Sequence, residues 1–89
     1  MAARVFVSGF IQGVGYRQFV KKISRQIGLN GWVRNLPDGR VEALFSGSKD
    51  KIEKAIEQCW KGPFLSEVKS VDVEWLGDKE SNFTIFEIR

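Results

Sequence analysis

Hydrophobic positions along the chain recur first at every second residue and then at every third or fourth, and each change of period marks a change of element. Over 4–10, Val5 and Val7 alternate with Phe6 and Ser8, with apolar groups on both faces, the pattern of a strand covered on two sides. Over 16–27 the apolar side chains are Tyr16, Phe19, Val20, Ile23 and Ile27. That spacing predicts an amphipathic helix whose solvated face carries Lys21, Lys22 and Arg25. Gly28 supplies the left-handed residue that closes such a helix. Two further strands, 29–36 and 40–46, flank Pro37-Asp38-Gly39, which is turn chemistry for a short hairpin. Ser48 then caps a second helix over 49–61, with Asp50 in its first turn and Gly62-Pro63 as its stop. Its apolar stripe is Ile52, Ala55, Ile56, Cys59 and Trp60. A fourth strand, 66–76, alternates Val71, Val73 and Trp75 with Ser70, Asp72 and Glu74, so one of its faces is wet. A turn over 77–81 leads to a last short strand over 83–89.

In order, these elements are β-α-β-β-α-β followed by a terminal strand, with no internal linker, repeat or low-complexity segment. Both long connections carry helices, and right-handed crossovers place the two helices on one face of a mainly antiparallel sheet. The expected fold class is therefore α+β, a ferredoxin-like sandwich with strand order 4-1-3-2 and the other sheet face partly open. A short C-terminal strand is added, and the pattern does not say where it docks. The 89 residues suit one small domain over 1–89. A domain of that size buries roughly 60–65% of its unfolded surface and has no room for a second core.

Composition narrows the functional classes. A formal charge of +3 and a pI near 9.2 give mild attraction for anions, too weak alone to argue nucleic-acid binding. No apolar run approaches the roughly 18 residues of a membrane span, and Met1-Ala2-Ala3 leads straight into strand. The expected address is cytoplasmic, with no membrane partner. A single cysteine, Cys59, cannot form an internal disulfide and reads as a buried thiol on a helix stripe. The chain contains no histidine, so the commonest metal ligand and the commonest general base are both missing. No metal or other cofactor is implied, and catalysis has to proceed without imidazole.

The chemistry concentrates where the first strand meets the first helix. The stretch V-S-G-F-I-Q-G-V-G-Y-R-Q-F over 7–19 ends a strand in a loop carrying Gly9, Gln12, Gly13 and Gly15, then opens a helix at Tyr16. Glycines admit the positive φ that aims successive amides at one point. Unpaired amides at a helix start, the positive end of its dipole and the Arg17 guanidinium all favour an anion there. The same glycine pair also serves as a tight connection, and Arg17 also serves as a surface cation, opposing the dipole at a cost of about a few tenths of a kcal/mol. Stricter phosphate motifs are absent. The third glycine of G-x-G-x-x-G falls at Gln18, no G-K-[ST] occurs, and Leu65 stands where a thiol phosphatase loop starting at Cys59 needs arginine.

In a split β-α-β unit the first and second strands run parallel with the third between them. The C-terminal end of the second strand, and Asn35 with it, then comes beside the loop. On the residues alone Asn35 reads first as a turn-capping amide ahead of Pro37.

The run G-F-I-Q-G-V-G-Y-R-Q-F, together with G-W-V-R-N-L-P-D-G-R-V-E over 31–42, closely resembles the two signature segments of the acylphosphatase family. The resemblance continues through Gly47, Gly62-Pro63 and the closing N-F-T-I-F-E-I, nearly the whole chain. It implies the ferredoxin-like fold and marks Arg17 and Asn35 as the catalytic pair. The loop amides of Gln12, Gly13, Val14, Gly15 and Tyr16, with Arg17, are the expected phosphate cradle. The implied reaction is hydrolysis of an acyl phosphate, a carboxyl-phosphate mixed anhydride, to carboxylate and inorganic phosphate by a monomer. A leaving carboxylate, whose conjugate acid has a pKa of roughly 4 to 5, departs without a general acid, so missing histidine is no objection. Asn35 is expected to aim the water, and a substrate phosphoryl oxygen to take its proton.

Other residues read more plainly. Asp38 and Glu42 are expected as turn and strand-surface groups, Arg34 and Arg40 as added positive potential, and Trp32, Trp60 and Trp75 as packing. Two other function classes share the pattern. An RNA-binding module of the same topology needs paired aromatics on its third strand, which here reads R-V-E-A-L-F-S with a charge at Glu42, so no nucleic-acid partner is expected. A non-catalytic phosphate-binding domain keeps the loop without turnover, and intact Arg17 and Asn35 argue against it.

Overall fold

In the computed structural model, which describes residues 1–78 and 82–89, the chain opens with β1 (Ala2–Phe10), α1 (Tyr16–Ile27) and β2 (Asn30–Asn35). It continues with β3 (Val41–Ser46), α2 (Lys49–Lys61), β4 (Glu67–Gly77) and β5 (Phe86–Ile88). Of the turn expected over 77–81, residues 79–81 lie outside the described residues. Strand order is β4-β1-β3-β2-β5, the expected order with β5 added outside β2. β1 lies antiparallel to β3 and β4, and β3 antiparallel to β2. β5 runs parallel to β2 through Gly31↔Phe86, Trp32↔Glu87 and Val33↔Ile88, which makes the sheet mixed.

The helical periodicity explains the main core. Tyr16, Val20 and Ile23 of α1 and Ile52, Ala55 and Cys59 of α2 pack over Val5, Val7, Val33, Val41, Ala43 and Phe45 of the central strands. Each fully buried aliphatic side chain of this kind contributes about 1.5–3 kcal/mol. α1 stops where expected, with the N–H groups of Gly28 and Leu29 both reaching the Ser24 carbonyl, at 3.0 and 2.8 Å. Ser48 caps α2 by accepting from the Lys51 N–H. Trp60, expected on the α2 stripe, is instead 50% exposed at the end of the helix.

The opposite sheet face corrects one expectation. Glu42, expected at a strand surface, is only 5% exposed. β3 is the middle strand, so neighbours on both sides overhang it: Arg34 directs Nε and Nη2 at Glu42 Oε1, each at 2.7 Å, and Arg4 Nε lies 3.4 Å from Oε2. Two guanidiniums offset the desolvation of one carboxylate. Trp32 is buried on this face beneath the guanidiniums of Arg34 and Arg89, at 5.0 and 5.4 Å from its ring.

One detail of register places the site. β1 follows β3 only as far as Val7↔Val41, whereas it stays paired with β4 to Phe10↔Glu67. The end of β1 thus parts from β3, and the loop into α1 forms at the sheet end where β2 and its hairpin also finish.

Candidate active site

Gly13 and Gly15 adopt left-handed backbones, with φ of 81° and 79°, and Gly15 is the residue from which α1 starts. The first amide of α1 to find a helical carbonyl is that of Phe19, which donates to Gly15 at 3.0 Å. The amides of Tyr16, Arg17 and Gln18 before it have no carbonyl within the helix and face out of its end. Nothing acidic offsets this positive end: α1 has no acid in its first turn, and its charged residues are Arg17, Lys21, Lys22 and Arg25. Among the described residues Arg17 makes no ion pair.

Asn35 ends β2, opposite Val41. The turn-capping role that its position suggested belongs to Asp38, whose Oδ1 accepts from the Arg40 N–H at 3.1 Å and whose Oδ2 accepts from Arg40 Nε at 2.8 Å. The Arg40 backbone N–H, and then its side chain, hold the Asp38 carboxyl below the usual carboxylate range. Asn35 Oδ1 is left buried with no hydrogen-bond partner among the described residues. Such an acceptor costs about 1–3 kcal/mol unless a ligand or water donates to it.

A pocket of about 250 Å³ unites these groups. Gly13, Gly15, Tyr16, Arg17 and Asn35 line it, and Ile11, Gln18 and Ile88 complete its wall. An uncapped helix end and a cation without a counter-ion among the described residues thus open into one space, and Asn35, whose buried Oδ1 lacks a donor, lines it.

The acylphosphatase family model matches residues 3–88. Over 85 residues the chain is 45% identical to an acylphosphatase of Chloroflexus aurantiacus, a match covering 93% of this chain and 92% of that one. It is 47% identical over 73 residues to an acylphosphatase of Roseiflexus sp., covering 82% and 78% of the two chains. The crystal structure of acylphosphatase from Bacillus subtilis aligns with a TM-score of 0.95 at 34% identity, over 99% of this chain and 97% of that one.

The chain belongs to the acylphosphatase family.

Its function is that of an acylphosphatase, a hydrolase, and the family implies an acyl phosphate as substrate and inorganic phosphate as product. Of the residues expected at the acylphosphatase site, the pocket brings together Gly13, Gly15, Tyr16, Arg17 and Asn35. Gln12 and Val14 do not line it. The Gln12 side chain is spent elsewhere, with Nε2 donating to the carbonyls of Leu36 and Arg40 at 3.0 Å each, which leaves its backbone N–H as its means of reaching an anion. Tyr16 is similarly committed: its ring is buried and its hydroxyl donates to the Cys59 carbonyl at 2.7 Å.

Burial, and then the neighbouring Cys59, hold the Tyr16 phenol above its ordinary range. Burial pushes the Cys59 thiol up to about 12, against the opposing effect of a hydrogen bond from Tyr16. Neither group is a nucleophile at neutral pH. Arg34 and Arg40, expected to add positive potential, are each paired with a carboxylate, Glu42 and Asp38 respectively, so Arg17 is the cation lining the pocket. Ile88 is a wall residue that periodicity did not indicate, because it enters only through the parallel docking of β5 on β2.

Proposed function

We propose that Arg17 and Asn35 carry acyl phosphate hydrolysis, and that the loop amides of Gln12, Gly13, Val14, Gly15 and Tyr16 hold the phosphoryl group together with Arg17. The observation that supports this reading is that Asn35, whose buried Oδ1 has no hydrogen-bond partner among the described residues, lines the same pocket as Arg17 and the open end of α1. The phosphoryl oxygens accept hydrogen bonds from the amides and the guanidinium. As water attacks in line, charge spreads over those oxygens and donors fixed in advance stabilise it. Asn35 Oδ1 accepts one O–H of the water and so turns an oxygen lone pair toward phosphorus.

The bond from phosphorus to the bridging oxygen breaks, and the electron pair leaves with the carboxylate. Carboxylate conjugate acids have pKa values of roughly 4 to 5, so no general acid is needed. The proton of the attacking water passes to a phosphoryl oxygen of the substrate, giving inorganic phosphate.

The protein acts on this reading as a cytoplasmic monomer on a small molecule, with neither nucleic acid nor membrane as partner. β3 supports the second point. The middle of the open sheet face, where an RNA-binding sheet presents stacking aromatics, holds Glu42 clamped by Arg4 and Arg34.

The test is hydrolysis of benzoyl phosphate, without added metal, by wild type, Arg17→Ala and Asn35→Ala, each checked for folding. The expected loss is at least about 10²-fold in either variant, the scale of removing one transition-state donor for Arg17 and of misplacing the attacking water for Asn35. Variants that keep wild-type rates place the chemistry on other residues.

A further inference from the structure

We propose that Gln12 is a positioning residue whose side-chain amide sets Asn35 relative to the loop that holds the phosphoryl group. The inference rests on the roles given above to the loop and to Asn35, and it concerns how the two are kept in register. They belong to different elements. β1 leaves β3 after Val7↔Val41, so the loop beyond Phe10 is no longer laced to β3 by backbone pairs. Among the described residues, the side-chain hydrogen bonds that reach from this loop to the β2–β3 hairpin are those of Gln12.

Their placement is specific. Leu36 and Arg40 face each other across the mouth of the turn, where the Leu36 N–H donates to the Arg40 carbonyl at 2.8 Å and the Gly39 N–H to the Leu36 carbonyl at 3.2 Å. Gln12 Nε2 gives one hydrogen to each of these two carbonyls, at 3.0 Å. It therefore grips both rails of the hairpin one step beyond the Asn35↔Val41 pair, and the residue on one rail is the covalent neighbour of Asn35. Two bonds from one atom, one to each rail, fix direction as well as distance. A primary amide supplies two hydrogens on one nitrogen, whereas a carboxylate there sets lone pairs against two carbonyl oxygens. Since misplacement by about 1 Å can cost about 10²-fold in rate, a weak contact in this place governs turnover without touching the substrate.

The test is a double-mutant cycle on benzoyl phosphate hydrolysis with Gln12→Met, which keeps the length and apolar stem but has no donor, and Asn35→Ala. Phosphate inhibition is measured in parallel. In Q12M we expect kcat to fall at least about 10-fold while the inhibition constant of inorganic phosphate stays within about 2-fold of wild type. In the Asn35→Ala background the same change is expected to cost less than about 2-fold, because the two groups act as a unit. Gln12→Lys, which restores a donor at similar reach, is expected to recover part of the kcat lost in Q12M, and Gln12→Leu, which also has no donor, replaces Q12M in the cycle should that variant unfold. Phosphate inhibition weakened in step with kcat would make Gln12 an anion ligand and overturn the proposal. Additive losses beside an impaired Asn35→Ala enzyme would also overturn it, leaving the role of Asn35 intact. An Asn35→Ala enzyme at wild-type rate would instead remove the water-holding reading and the proposal with it.

Discussion

Tyr16 reaches across the core to Cys59, its hydroxyl donating to the cysteine carbonyl at 2.7 Å, so the first residue of α1 is tied to the last turn of α2. The contact places a stability element at the start of α1, beside the loop proposed to hold the phosphoryl group. Tyr16→Phe leaves a buried carbonyl without its donor and is expected to cost about 1–2 kcal/mol, read by urea unfolding. Activity on benzoyl phosphate is expected to stay within about 3-fold, because the role proposed for the tyrosine in the site is that of its backbone amide. A far larger loss of activity in a folded variant would mean that the hydroxyl, through α2, also holds the loop.

The same pair contributes stability that is lost at alkaline pH. The folded Cys59 thiol titrates near 12 instead of its ordinary 9.0, so above pH 9 the unfolded chain releases a proton that the folded chain keeps. This contribution is complete below pH 9 and disappears as pH rises toward 12. The raised Tyr16 phenol acts in the same direction above its ordinary 10.0. Unfolding free energy measured from pH 7 to 11 is expected to decline from about pH 9 in wild type and from about pH 10 in Cys59→Ala. Coincident onsets would show that lysines or the phenol dominate.

Gly15 can be tested on backbone grounds alone. At φ 79° nothing lies within 4 Å of where a Cβ would sit, so substitution meets backbone strain without a clash. Gly15→Ala is expected to lose about 1–2 kcal/mol, and Gly15→Asn less, since asparagine visits the left-handed region more readily. Equal losses in the two variants would point to a contact that the present geometry does not contain.

Asn35→Asp keeps the shape of the side chain and adds a charge beside the proposed phosphoryl site. It is expected to weaken inhibition by inorganic phosphate, through like-charge repulsion, and to lower kcat/KM by at least about 10²-fold at pH 7. Burial raises a carboxyl pKa, so part of the loss should return as pH is lowered and the charge is neutralised. Phosphate affinity equal to wild type at pH 7 would mean that Asn35 lies farther from the bound anion than the shared pocket implies.

The chain's periodicity and punctuation reveal most of this fold. Tyr16 to Ile27 keeps helical spacing from a glycine start to a glycine stop, and Pro37-Asp38-Gly39 separates two strands that pair as expected. Once those elements are known, crossover handedness brings Asn35 to Arg17. What stays hidden depends on which strands are neighbours. Phe86 and Ile88 show their apolar alternation in the sequence, but periodicity cannot tell that β5 lies parallel to β2 or that Ile88 reaches the pocket. Glu42 reads as a surface group because a charged residue in a strand usually is one, and only the middle position of β3 puts two arginines over it. Gln12 is hidden for a third reason: a polar side chain in a glycine-rich loop belongs to no periodic pattern, and its partners are carbonyls present at every residue.

The open end of α1 holds its donors on the main chain, where no substitution but proline can delete them. Exchanging Val14 or Gln18 for any other residue leaves peptide N–H groups in place as long as the path of the backbone is kept. On the proposed reading, what maintains anion recognition is therefore the chain's trajectory, encoded mostly by residues with nothing to offer chemically. On these proposals, a scan that trims side chains one by one would register Arg17, Asn35 and Gln12 and pass over the peptide N–H groups.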